Sequence, residues 1–288
     1  MKNIEGTGVA LVTPFKKDLS IDYKSLENLI NYVIDGGVNY LVIMGTTGES
    51  TALSNSEKRE VLEFCVNINN NRLPLVLGIG GNNTMQVLQS INNLDNDNVD
   101  AILSVSPYYN KPSQEGIYNH YKLISESTDK PIILYNVPSR TGSNIEASTT
   151  LRLANDFSNI VAIKEASGDM FQIMNIIKDK PSDFLVISGD DALANQMIFM
   201  GAQGVISVIG QSHPKKYSNM VQEALAGNVE IANNIHYKLL DLYNPLYAEG
   251  NPVGIKGCLS LLNICSLHVR PPLVSASDKI LAELERLL

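Results

Sequence analysis

The stretch Val161-Ala162-Ile163-Lys164 closes an apolar run on a lysine. A run this short, β-branched and uninterrupted reads as a strand buried on both faces, the mark of a parallel sheet covered by helices. Strand alternation puts Ala162 and Lys164 on one face and Val161 and Ile163 on the other, leaving the amine above a small residue in apolar surroundings. Such surroundings favour the neutral form of an amine, and a neutral amine attacks a carbonyl to form a Schiff base. The plainer reading is a strand-end lysine whose stem follows the sheet while its head reaches solvent.

Seven more short apolar runs flank this one, at residues 8–12, 40–44, 75–79, 101–105, 132–135, 184–188 and 204–208. Amphipathic segments separate them. Ser54-Asn55-Ser56-Glu57 has capping-box spacing and opens a helix running to about Asn69, while Asp22 and Ser113 stand where two further helices need caps. Eight strand-then-helix units in 288 residues imply an α/β fold of the (β/α)8 TIM-barrel type, with a doubly wound open sheet as the rival. After about Ala226 the strand pattern stops. Residues 227–288 read as a C-terminal helical subdomain of hairpins broken at Asn244-Pro245, Asn251-Pro252 and Pro271-Pro272, attached to a barrel of residues 1–226.

With 44% hydrophobic residues the chain can bury a large core, so disorder is not expected. A net charge of −8 without blocks of like charge argues against a nucleic-acid surface. A small anionic substrate would need local positive charge, and Arg140 and Lys164 are candidates. Residues 1–6 lack an apolar segment of signal-peptide length, and no run approaches the ~18 residues of a membrane span, so a cytoplasmic protein is expected. Cys65, Cys258 and Cys265 are odd in number and read as reduced thiols. His120, His213, His236 and His268 form no metal-binding spacing, so no metal is expected.

In a (β/α)8 barrel the active site is built at the carboxyl ends of the strands, and unusual residues gather there. They are Gly45-Thr46-Thr47-Gly48-Glu49-Ser50, Ser106-Pro107-Tyr108-Tyr109-Asn110, Tyr135-Asn136-Val137-Pro138-Ser139-Arg140, Lys164-Glu165-Ala166, Ser188-Gly189-Asp190-Asp191 and Ile206-Ser207. The glycines and threonines of the first could be a tight turn or an anion nest of backbone N–H groups. Tyr135 could be a packed aromatic or an acid/base group with a proton path through Thr47. Arg140 could be a solvated charge or a bidentate carboxylate clamp. Tyr108-Tyr109 could be core or interface aromatics, and Glu165, Asp190 and Asp191 read as structural carboxylates.

In this order the motifs GTTGES at 45–50, SPYYNKPSQEG at 106–116, ILYNVPSRTG at 133–142, IKEASG at 163–168, SGDD at 188–191 and GVISV at 204–208 resemble the dihydrodipicolinate synthase family. These are pyruvate-dependent class I aldolases of the N-acetylneuraminate lyase superfamily, and the resemblance runs from about Gly8 into the C-terminal helices. It implies condensation of pyruvate with L-aspartate 4-semialdehyde to 4-hydroxy-tetrahydrodipicolinate, the first committed step of the diaminopimelate–lysine pathway, with no cofactor beyond the covalent Schiff base on Lys164. It further implies that Thr46 and Thr47 hold the pyruvate carboxylate, that Thr47, Tyr135 and Tyr109 form a proton relay, and that Arg140 holds the carboxylate of the second substrate. Gly189 and Ile206 would give backbone contacts. Tyr109 would enter the site of a neighbouring subunit in a homotetramer of tight dimers.

Feedback-inhibited members hold L-lysine in an interface pocket of imidazoles and an acidic residue. Here Asn55, Lys58 and Gln86 take those places, while Ser50, Asn82 and Tyr108 still match. Lys58 would repel the effector's ammonium group, so weak or absent inhibition by L-lysine is expected. A sister pyruvate aldolase acting on N-acetylneuraminate or 2-keto-3-deoxy sugar acids, and a catalytically silent barrel acting as a binding protein, are the rival functions. Arg140 speaks against the first and the complete Lys164–Tyr135–Thr47–Tyr109–Arg140 set against the second.

Overall fold

A computed structural model of the chain describes residues 4–94 and 98–288, so the expectation for the first residues extends over 1–3, which lie outside it. Eight strands run parallel: β1 Gly6–Ala10, β2 Tyr40–Ile43, β3 Leu75–Gly78, β4 Ala101–Val105, β5 Ile132–Asn136, β6 Ile160–Glu165, β7 Leu185–Ser188 and β8 Gly204–Ser207. Each pairs with the next, and β8 pairs with β1 from Gly6↔Gly204 to Val9↔Ser207, so the sheet is a closed barrel and not the open rival. Glycine makes this seam possible. A Cβ on Gly204 would lie 2.1 Å from the Gly6 carbonyl oxygen, and its φ of +151° is a conformation that side chains exclude.

The double burial expected of each run is found. Val42, Val76, Leu103, Ile133, Ala162, Ile187 and Ile206 fill the barrel interior. Leu41, Ile43, Ile102, Leu134, Ile163 and Val186 face outward into the layer of helices. Each large aliphatic buried this way is worth about 1.5–3 kcal/mol of transfer free energy, which closes the sheet on itself with helices outside. One alternation differs from expectation. The β5–β6 register slips between Ile132 and Ile133, which pair with Ile160 and Ala162, so Val161 is an extra residue at a bulge and packs toward the interior cluster rather than with Ile163. Ala162 and Lys164 keep their common inward face.

Helix Asn55–Asn69 starts with both bonds of the capping box between Ser54 and Glu57, and Asp22 and Ser113 cap helices Tyr23–Asp35 and Gln114–Glu126. Pro245 does not break its helix. Val229–Ala248 runs through it, because Leu242, Tyr243 and Leu246 around it are buried and their packing outweighs the ~3 kcal/mol that an interior proline costs. The chain does leave the helix around Asn251-Pro252 and Pro271-Pro272. The C-terminal helices share one apolar cluster with the barrel: Leu239, Leu246, Cys258 and Leu259 pack in the same core as Val9, Leu41 and Leu75. All three cysteines are free and buried, and burial pushes the thiols up, to about 12 for Cys65 and Cys265 and about 11 for Cys258. No helix among the described residues is long and apolar enough to cross a membrane.

Candidate active site

Lys164 lies near the carboxyl end of β6, in register with Tyr135 of β5 and Ile187 of β7, and is only 6% exposed. Its Nζ stands 4.3 Å from the centroid of the Tyr135 ring. Among the described residues it forms no ion pair, so the ring face is its chief electrostatic neighbour in the chain. The stem runs against Gly189 at the end of β7. A Cβ there would come within 3.0 Å of Lys164 Cε and 2.7 Å of Ala166 Cβ, so glycine is what leaves the lysine its path. Ile206 is buried in the interior cluster with Tyr135 and Ile187.

The loop after β2 turns sharply. Thr46–Gly48 form one 3-10 turn between Met44 at φ +58° and Glu49 at φ +50°, left-handed conformations that cost a non-glycine residue about 1–3 kcal/mol each. The turn uses the N–H groups of Gly48 and Glu49, while those of Thr46 and Thr47 find no partner among the described residues. Thr13 Oγ1 donates to the Gly48 carbonyl at 2.7 Å. Thr46 is exposed and Thr47 buried, with the Thr47 hydroxyl accepting from Asn251 Nδ2 at 3.0 Å. It makes no hydrogen bond to Tyr135 within the chain, and the relay expected of Thr47, Tyr135 and Tyr109 also calls on Tyr109 of a neighbouring copy.

What stabilises the strained turn comes from the far end of the sequence. The buried Glu49 carboxylate accepts from Lys256 Nζ and from the Arg270 backbone N–H at 2.9 Å. Lys256 is wholly enclosed, donates also to the His268 carbonyl at 2.8 Å, and lies 4.2 Å from the centre of the Phe15 ring. Burial pulls its ammonium below the ordinary value, and the Glu49 carboxylate opposes that pull. The Arg270 fork grips Glu57 and the carbonyls of Leu19 and Ala52. The sequence alone assigns no site role to Glu49, Asn251 or Lys256. Lys256 carried the signal that marked Lys164, a lone lysine in the apolar run Val253-Gly254-Ile255-Lys256.

Tyr109 and Arg140 stand at the rim. Tyr109 is 86% exposed at φ +78°, and Arg140 is exposed on the short helix Pro138–Thr141 with no ion pair among the described residues. Their loops are stitched together by Ser143 Oγ donating to the Pro107 carbonyl at 2.8 Å and Tyr109 N–H to the Thr141 carbonyl at 3.4 Å. The structure therefore gathers Lys164, Tyr135, Gly189 and Ile206, sets Thr46 and Thr47 in the adjoining loop, and turns the Tyr109 side chain away from its own chain. Glu165 and Asp191 are structural, as expected. Glu165 is raised by burial while accepting from Asn136, Ser167 and Gln172; Asp191 Oδ2 accepts from the N–H groups of Val208 and Ile209 and holds the end of β8. Ser50, Asn55, Lys58, Asn82, Gln86 and Tyr108 lie in segments that follow the neighbouring strands β2, β3 and β4.

A barrel with this lysine, tyrosine and threonine loop matches one family over nearly its whole length: the model of the dihydrodipicolinate synthetase family covers residues 3–288. The chain belongs to the dihydrodipicolinate synthetase family. The 4-hydroxy-tetrahydrodipicolinate synthase of Flavobacterium psychrophilum is 53% identical over 280 residues, spanning 97% of this chain and 96% of its own. A solved monomeric dihydrodipicolinate synthase variant has a TM-score of 0.96 at 39% identity, over 98% of this chain and 95% of that one. The chloride-inhibited dihydrodipicolinate synthase of Acinetobacter baumannii, solved with pyruvate, has a TM-score of 0.94 at 38% identity, over 99% and 98%. The family member described here is an enzyme of the lyase class.

Proposed function

We propose that the chain condenses pyruvate with L-aspartate 4-semialdehyde through a Schiff base on Lys164, giving 4-hydroxy-tetrahydrodipicolinate in the cytoplasm as the first committed step toward diaminopimelate and lysine. The observation that carries the reading is a buried lysine without an ion pair among the described residues, beside a tyrosine ring at the mouth of a closed barrel. The pyruvate carboxylate lies on the N–H groups of Thr46 and Thr47 and on the Thr47 hydroxyl. The neutral amine attacks the ketone carbon, water leaves, and the protonated imine draws electrons from the adjacent methyl group. A methyl proton passes to the tyrosine relay, and the resulting enamine forms a carbon–carbon bond to the aldehyde, whose oxygen takes up a proton. The semialdehyde's own amine then attacks the imine carbon and releases Lys164. The protonated imine is the electron sink, so no metal or organic cofactor is needed.

Thr46 takes the relay place expected of Thr47. The Thr47 hydroxyl already faces Asn251, whereas Thr46 is open to a tyrosine entering from the mouth. Tyr109 reaches the site of a neighbouring copy in a tetramer of tight dimers, which agrees with its exposure here. Arg140 receives the carboxylate of the semialdehyde as a bidentate partner, and Gly189 and Ile206 lend backbone contacts. With Lys58 and Gln86 in place of groups that attract an ammonium, L-lysine inhibits weakly or not at all.

Borohydride reduction of the protein with pyruvate tests the nucleophile: a reduced adduct on Lys164, absent from Lys164→Ala, is expected. Pyruvate consumption with L-aspartate 4-semialdehyde and none with N-acetylmannosamine is the expected substrate pattern. Consumption with the sugar alone would move the chain to the neuraminate branch, and no adduct and no consumption would mean a silent barrel.

A further inference from the structure

We infer that Asn251 is a positioning residue for the substrate carboxylate, acting through the hydroxyl of Thr47; the inference rests on the pyruvate reading above. A threonine hydroxyl has one proton and two acceptor lone pairs, so the group that occupies a lone pair decides where the proton is free to point. Asn251 Nδ2 lies 3.0 Å from Thr47 Oγ1, and an amide nitrogen only donates. The Thr47 proton is therefore turned away from Asn251. It is left for an acceptor on the side of the unpartnered N–H groups of Thr46 and Thr47, where a carboxylate collects all three donors.

Two further observations separate this from packing. Asn251 Oδ1 is buried with no hydrogen-bond partner among the described residues, so there the amide gains only through the donor that meets Thr47. The segment that carries Asn251 is fixed against the same turn a second time, by Lys256 on Glu49, so the amide and the hydroxyl keep their relation while substrate comes and goes. Asn251 therefore acts on the affinity for pyruvate, and the chemical step at Lys164 is left to other groups.

The test is a double-mutant cycle on pyruvate half-saturation, read by borohydride trapping on Lys164 and by KM, with Asn251→Ala, Thr47→Val and the pair. A hydrogen bond to a charged group is worth about 10- to 100-fold in affinity. Thr47→Val should therefore raise half-saturation about tenfold or more, Asn251→Ala about three- to tenfold, and the pair no further than Thr47→Val. kcat at saturating pyruvate should stay within about threefold for Asn251→Ala. Asn251→Asp, which offers an acceptor in place of the donor and captures the Thr47 proton, should be worse than Asn251→Ala. Losses that multiply in the pair, or an unchanged half-saturation in Asn251→Ala, would overturn the inference while leaving the Schiff base intact. Absence of any adduct in the unaltered protein would instead remove the pyruvate reading and the inference with it.

Discussion

Replacing Lys256 by Met removes the positive half of an ion pair that is closed to water on both sides. Methionine fills nearly the same volume, so the change is electrostatic rather than a cavity. Glu49 is left buried, its one remaining hydrogen bond among the described residues being that from the Arg270 N–H. Removing one partner of a buried pair costs about 3–5 kcal/mol, most of it the stranded charge. At about 2–4 °C per kcal/mol for a chain of this size, that is a fall in Tm of about 6–20 °C. Glu49→Gln added to Lys256→Met removes the stranded charge and should recover most of the loss, to within about 2 kcal/mol of the native chain, since a neutral pair of similar volume is often tolerated. Circular-dichroism melts at pH 7 and equal protein concentration decide the matter. A Lys256→Met protein melting within 2 °C of the native one, or a double variant no more stable than the single, would refute the assignment of the turn's stability to this charge pair.

Gly189→Ala should leave the fold in place yet reduce Schiff-base trapping at Lys164 more than tenfold, because the new methyl takes the space of the lysine stem; near-native trapping would show that the stem has another path. Arg270 holds the Glu57 carboxyl at about 2 against an ordinary 4.5, chiefly by their hydrogen bonds. The unfolded chain therefore takes up that proton first, so the pair's contribution is complete above about pH 4.5 and is lost as pH falls toward 2. Glu57→Gln should lower the urea midpoint at neutral pH and flatten its fall across that window, and parallel curves for the two proteins would sink the claim. L-Lysine should not half-inhibit condensation at concentrations that suffice for feedback-sensitive relatives; inhibition in their range would mean that Lys58 and Gln86 do not govern the pocket.

The eight strands were legible because each is an apolar run buried on two faces, a pattern that needs no partner to be seen. Lys164, Gly189 and the threonine loop were legible because they interrupt or end those runs. The slip at Val161 was not, since a bulge is a property of how two strands pair and leaves no trace in either alone. Nor was the continuity of helix Val229–Ala248, where proline's local penalty is outvoted by burial that only the folded core reveals. Asn251 and Lys256 escaped for a related reason. They belong to the site through contacts made across some two hundred residues, and a reading that expects barrel chemistry at strand ends does not look for it in the closing helices.

That long contact changes what counts as the portable part of this enzyme. An engineer who grafts GTTGES onto another barrel would move a turn that ends on the left-handed Glu49 with no clasp to hold it, and it should relax into an ordinary loop with its threonines misaimed. The smallest piece worth transplanting is discontinuous: the turn together with the segment from Asn251 to Arg270, which arrives on the ribosome only after all eight strands have been made.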